Sequence, residues 1–119
     1  MDNRSDNYNQ IIDELVQLSR SCVDAECIRD GNVIGDFADS GIIDLLAKLS
    51  DNERALLAAF VSSVFRSGIY SVLDTLEWHS RSGNISILFD GQNHAETDSE
   101  GLQNDFLSRC NKWEWSDQY

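Results

Sequence analysis

A chain of 119 residues, 41% of them apolar, has the size of one folding unit, since domains commonly run to roughly 100–150 residues before a second core forms. The formal net charge of -12 opposes the phosphate backbone of a nucleic acid, whose binding needs Lys and Arg to displace counterions, and it favours a basic partner. The acid lies toward the ends: nine acidic against three basic residues in positions 1–40, five against four in 41–83, and seven against two in 84–119.

In chain order, Tyr8, Ile11, Ile12, Leu15, Leu18, Ser19, Cys22 and Val23 recur at three- and four-residue intervals, which predicts one amphipathic helix from Asp6 to Arg29. Asp30-Gly31-Asn32 supplies its stop, because glycine accepts the left-handed conformation that closes a helix. Val33 to Asp39 reads as a loop. Ser40 caps a short second helix in which Ile42, Ile43, Leu45, Leu46 and Leu49 are expected to be mostly buried. Ser50 and Glu53 form the S-x-x-E capping box, starting a third helix near Asp51. Its residues Leu56, Leu57, Phe60, Val61, Val64 and Phe65 are expected to lie near the centre of the core.

Gly68 is expected to bend or end that helix, since glycine costs about 1 kcal/mol relative to alanine inside a helix. Ile69, Val72, Leu73 and Leu76 then continue the period to about Ser80. Ser82-Gly83-Asn84 signals a turn, and Ile85, Ile87 and Phe89 alternate as in a strand. Asp90 to Glu100 reads as a polar loop, and Leu102, Phe106 and Leu107 as a short helix. The expected fold is mainly α: a compact bundle of four to five helices, with a small β-hairpin from residues 84–89 and the C-terminal tail. Residues 1–119 are expected to form one domain.

Cys22, Cys27 and Cys110 lack zinc spacing, and neither His79 nor His94 stands with a ligand set, so no metal and no cofactor is expected. His94 reads as part of a solvated acidic loop. With no long apolar start, the cytoplasm is the expected compartment. Asp44, Lys48, Asp51, Glu53 and Arg54 interrupt the richest apolar region, which argues against a membrane span. No nucleophile elbow or phosphate loop is present, so no enzyme is expected, and the Asp74/Glu77 pair reads as an exposed helix face.

The run Leu49-Ser50, Glu53-Arg54, Leu57-Ala58, Val61, Gly68-Ile69, Leu73 and Leu76 resembles a family of small, uncharacterised bacterial proteins with the pattern L-S-x-x-E-R-x-x-L-A, a valine, then G-I and spaced leucines. The match covers about residues 42–78. Many such sequences place a His-Asp pair after the G-I, where this chain has Tyr70-Ser71, so any role of that pair does not carry over. In size, acidity and lack of catalytic motifs the family is similar to immunity proteins of bacterial toxin systems. The resulting expectation is a module that binds a basic protein, such as a toxin, through Asp36, Asp39, Asp90, Glu96, Trp113, Glu114 and Trp115. Aromatic side chains in an acidic rim suit recognition of Lys and Arg. The alternative is a helical homo-oligomer, a possible homodimer, whose Leu45, Phe60 and Phe65 form an interface.

Overall fold

The computed structural model describes residues 5–32 and 40–112. Its elements are α1 (Asp6–Arg20), α2 (Val23–Asp30), α3 (Ser40–Lys48), α4 (Asp51–Arg81), β1 (Leu88–Phe89), β2 (Gln92–Asn93), a 3-10 turn (His94–Glu96) and α5 (Leu102–Cys110). The fold is mainly α with one small antiparallel hairpin, and the chain divides into two compact units: Met1–Leu18 with Gly68–Tyr119, and Ser19–Ser67.

The first unit is built on Tyr8, Ile12, Val16, Leu73, Leu102 and Phe106, which bring α1, α5 and the C-terminal part of α4 onto one apolar centre. Leu15, Ile69, Tyr70, Ile87, Phe89 and Cys110 pack around it. Arg109 Nε donates to Asp13 Oδ1 at 2.7 Å, adding a polar tie between α5 and α1. The second unit has a smaller centre of Cys22, Ala25 and Ala58, flanked by Ile28, Val61 and Phe65. There Arg54 donates to the Leu49 carbonyl at 2.8 Å and to the Arg29 carbonyl at 3.4 Å.

Two of the expected helix ends fall where the sequence places them. Ser50 N–H donates to Glu53 Oε1 at 2.8 Å while Glu53 N–H donates to Ser50 Oγ at 3.1 Å, completing the capping box. Gly31, at φ 77°, closes α2, and Asn32 N–H reaches back to the Cys27 carbonyl at 2.9 Å.

Three expectations are corrected, and a fourth, the strand's partner, falls partly outside the described residues. The predicted first helix is two helices, because Cys22 adopts an extended conformation (ψ 105°) between α1 and α2. Cys22 is thereby buried beside Ala25. Gly68 does not stop α4, which runs unbroken for 31 residues, since one glycine's cost of about 1 kcal/mol is small against two long flanking helical stretches. The strand at β1 pairs in the register Leu88 with Asn93 and Phe89 with Gln92, across a turn in which Asp90 (φ 53°) and Gly91 (φ 79°) are both left-handed. The C-terminal tail, its expected partner, lies outside the described residues. Finally, the middle of the chain is far less buried than its apolar content suggests. Leu46 and Ala58 are buried, but Ile43, Leu45, Leu56, Phe60 and Val64 are exposed.

Candidate functional site

Two features stand out beyond the cores: a buried polar cluster in the first unit and an exposed apolar face on α4.

The cluster centres on Glu77, which α4 turns toward α5 and the segment after the hairpin. His94 Nε2 lies 2.9 Å from Glu77 Oε1 and 3.0 Å from Oε2. Leu102 N–H, at the open N-terminus of α5, donates to Oε1 at 2.7 Å, and Arg81 Nε donates to Oε2 at 3.0 Å. Burial by itself pushes the Glu77 carboxyl upward. The hydrogen bond and charge of His94, the Leu102 amide and Arg81 outweigh it and bring the pKa down to about 2. Gly101 permits this approach: it stands at φ 110°, and a Cβ there would sit 3.0 Å from Glu77 Oε1.

Beside it, Tyr8 Oη donates to Asp105 Oδ2 at 2.5 Å. Burial, then the Asp105 charge and that hydrogen bond, drive the Tyr8 hydroxyl well above its ordinary pKa, so it stays protonated. The Tyr8 ring stacks on His94 with centroids 5.5 Å apart, and Phe89 meets both rings edge-on. His94 is not a solvated loop residue, as its polar neighbours suggested, but is 1% exposed. Its composition with Glu77 is that of a general-base dyad, yet neither side chain opens to solvent, and His94 Nδ1 is buried without a partner. The geometry is that of a clamp holding the 90–101 segment and α5 on α4.

On α4, Ala58, Val61 and Phe65 contribute to the core of the second unit, whereas Leu56, Phe60 and Val64 stand 73%, 66% and 54% exposed. Further along, Val72, Leu76 and Trp78 are also exposed, and Ser71, Val72, Thr75 and Leu76 line a shallow open depression of about 300 Å³. The charged residues weighed against a membrane span all precede Ala55, and only Arg66 falls between Ala55 and Leu73. By length and composition α4 could therefore cross a bilayer, and only 11% of its most apolar stretch is buried.

Of the residues expected to contact a partner, Asp36, Asp39, Trp113, Glu114 and Trp115 lie outside the described residues. Asp90 and Glu96 are exposed, one in the hairpin turn with the Asn7 side-chain amide on its carboxylate, the other in the 3-10 turn, and no contact joins them. Of the Asp74/Glu77 pair, expected on an exposed helix face, Asp74 is an exposed surface acid that accepts from Gln103 at 3.2 Å, while Glu77 is buried. The Glu77–His94 pairing was not legible, since the two lie 17 positions apart and His94 stands in a polar run. Among the described residues no group of three His, Cys, Asp or Glu side chains could hold a metal ion.

Comparison with known families gives a match over residues 1–117 to a family of unknown function. No match is found among curated proteins or among solved structures.

Proposed function

The chain belongs to DUF6547, a family of unknown function, and from that premise we propose that it is a non-catalytic protein-binding module whose contact surface is the exposed apolar face of α4. The observation that carries this reading is the exposure of Leu56, Phe60, Val64, Val72 and Trp78 along one helix, each more than half exposed. A monomer seldom leaves contiguous apolar patches above a few hundred Å² in water, and larger ones mark interaction surfaces. The buried polar cluster supports the same reading in a different way. It secures the scaffold behind α4 through Glu77 and His94, both of them buried.

The test is a photo-crosslinking residue placed at Phe60 in cells that make the protein. Adducts that disappear when Val64→Glu is added beside it are expected. Absence of adducts at Phe60, with the label intact, refutes the reading.

The net charge of -12, with Asp90 and Glu96 exposed, favours a second reading, in which acidic surface draws a basic protein such as a toxin, as an immunity protein would. Salt separates the two. A charge-driven complex weakens as salt is raised, whereas an apolar contact does not.

A further inference from the structure

We propose that Trp78 and Asp74, one turn apart on α4 in the first unit, form a docking point for an arginine side chain of a basic partner protein; this rests on the protein-binding reading above and names the chemistry that binds at that end of the face. Residues at i and i+4 of a helix stand side by side, roughly 5–6 Å apart at Cβ. Trp78 is 62% exposed, the largest exposed side chain among the described residues, and Asp74 is exposed beside it. The Gln103 side-chain amide of α5 donates to Asp74 Oδ1 at 3.2 Å and holds the carboxylate in place. Among the described residues no cation pairs with that carboxylate. The His79 ring stands perpendicular to the indole, with centroids 4.8 Å apart, which steadies the larger ring.

The pairing of an indole with an unpaired carboxylate selects a cation. An apolar partner laid over Trp78 would strip water from Asp74 without supplying a counter-charge, which is costly. A second copy carries the same excess of acid, and anionic lipid is repelled in the same way. An arginine serves both side chains at once: its planar guanidinium stacks on the indole face and presents its N–H fork to the carboxylate. Lysine brings the charge without the flat, forked shape. The charge of the unit adds to this selection. Met1–Leu18 with Gly68–Tyr119 carry thirteen acidic against four basic residues, whereas Ser19–Ser67 carry eight against five. Two of those four bases, Arg81 and Arg109, are already tied to Glu77 and Asp13. The field that steers a basic protein is therefore concentrated on the unit that presents Trp78.

The test is titration of the full chain with acetylated, amidated hexa-arginine, followed through the NMR signals of the tryptophan indole N–H groups; the Trp78 signal is identified by its loss in Trp78→Phe. A saturable shift of that signal is expected, and binding should weaken as salt rises. Asp74→Asn keeps the size of the side chain and an oxygen for Gln103, and it should weaken binding roughly two- to fivefold, as should Trp78→Leu. Trp78→Phe should retain part of what Trp78→Leu loses, and hexa-lysine should bind less tightly than hexa-arginine. Glu26→Gln removes an exposed acid from the second unit instead, and should change the affinity far less than Asp74→Asn. A Trp78 signal that does not move, shifts confined to Trp113 and Trp115, or equal losses in Asp74→Asn and Glu26→Gln overturn the inference. If the Phe60 label still captures a protein in that event, the binding face stands without an arginine site. If that label also captures nothing, the protein-binding reading falls with it.

Discussion

Replacing Glu77 by Gln keeps the size of the side chain and removes its charge. Three donors, His94 Nε2, Leu102 N–H and Arg81 Nε, share its two oxygens. Gln offers one oxygen, and its amide NH2 must face a donor. In the native protein the Glu77 pKa falls from 4.5 to about 2, which at about 1.4 kcal/mol per pH unit corresponds to about 3 kcal/mol of stability. The side chain is 9% exposed, so solvent screening takes away little of it. A carboxyl whose folded pKa is depressed contributes fully above its unfolded value and loses the contribution as pH falls toward its folded value. Urea unfolding followed by circular dichroism from pH 7 to pH 2 should therefore show Glu77→Gln less stable by about 3 kcal/mol at neutral pH. That gap should close between about pH 4.5 and pH 2, where the native carboxyl takes up a proton and presents its own hydrogen to the same donors. The other carboxyls titrate alike in both proteins and cancel. A gap that stays constant across this range would refute the assignment of Glu77 as an ionised, buried acceptor.

Gly101→Ala should destabilise the first unit by roughly 1–3 kcal/mol, read as a lower unfolding temperature, since alanine at φ 110° is strained and its Cβ would meet Glu77 Oε1 at 3.0 Å. Tyr8→Phe removes the donor to Asp105 and should cost about 1–3 kcal/mol in denaturant unfolding. In an alkaline absorbance titration Tyr8 should fail to ionise in the ordinary tyrosine range. Because its pKa is raised on folding, stability should fall as pH climbs above about 10. Ser50→Ala should weaken the start of α4 by about 1 kcal/mol, measured as faster amide exchange over Asp51–Arg54.

What the sequence made legible were the signals written in local backbone chemistry. Gly31, the Ser50/Glu53 box and the turn at Gly83 each mark an end, because the atoms that satisfy a helix terminus come from residues next to it. Asp90-Gly91 carries the hairpin signal too, but the second strand, Gln92-Asn93, is polar and reads as loop. The predicted core failed for a different reason. Periodicity shows that a helix has an apolar face and does not show what covers it, so Leu45, Phe60 and Val64 read as interior and stand exposed. Glu77 and Asp74 look alike in sequence, one turn apart. Only the arrival of His94 and the Leu102 amide from distant positions makes one of them the centre of the polar cluster.

One turn of α4 also has a bearing on the order in which the chain assembles. Glu77 grips His94 and Leu102, while Arg81, one turn on, donates to the carbonyls of Ala95 and Thr97 and to Ser99 Oγ. From His94 to Leu102 the polypeptide is thus tied to α4 by two side chains one turn apart, which stand as a pair only once that last turn is wound. Those ties form only with that turn, and its fraying should loosen residues 94–102 together.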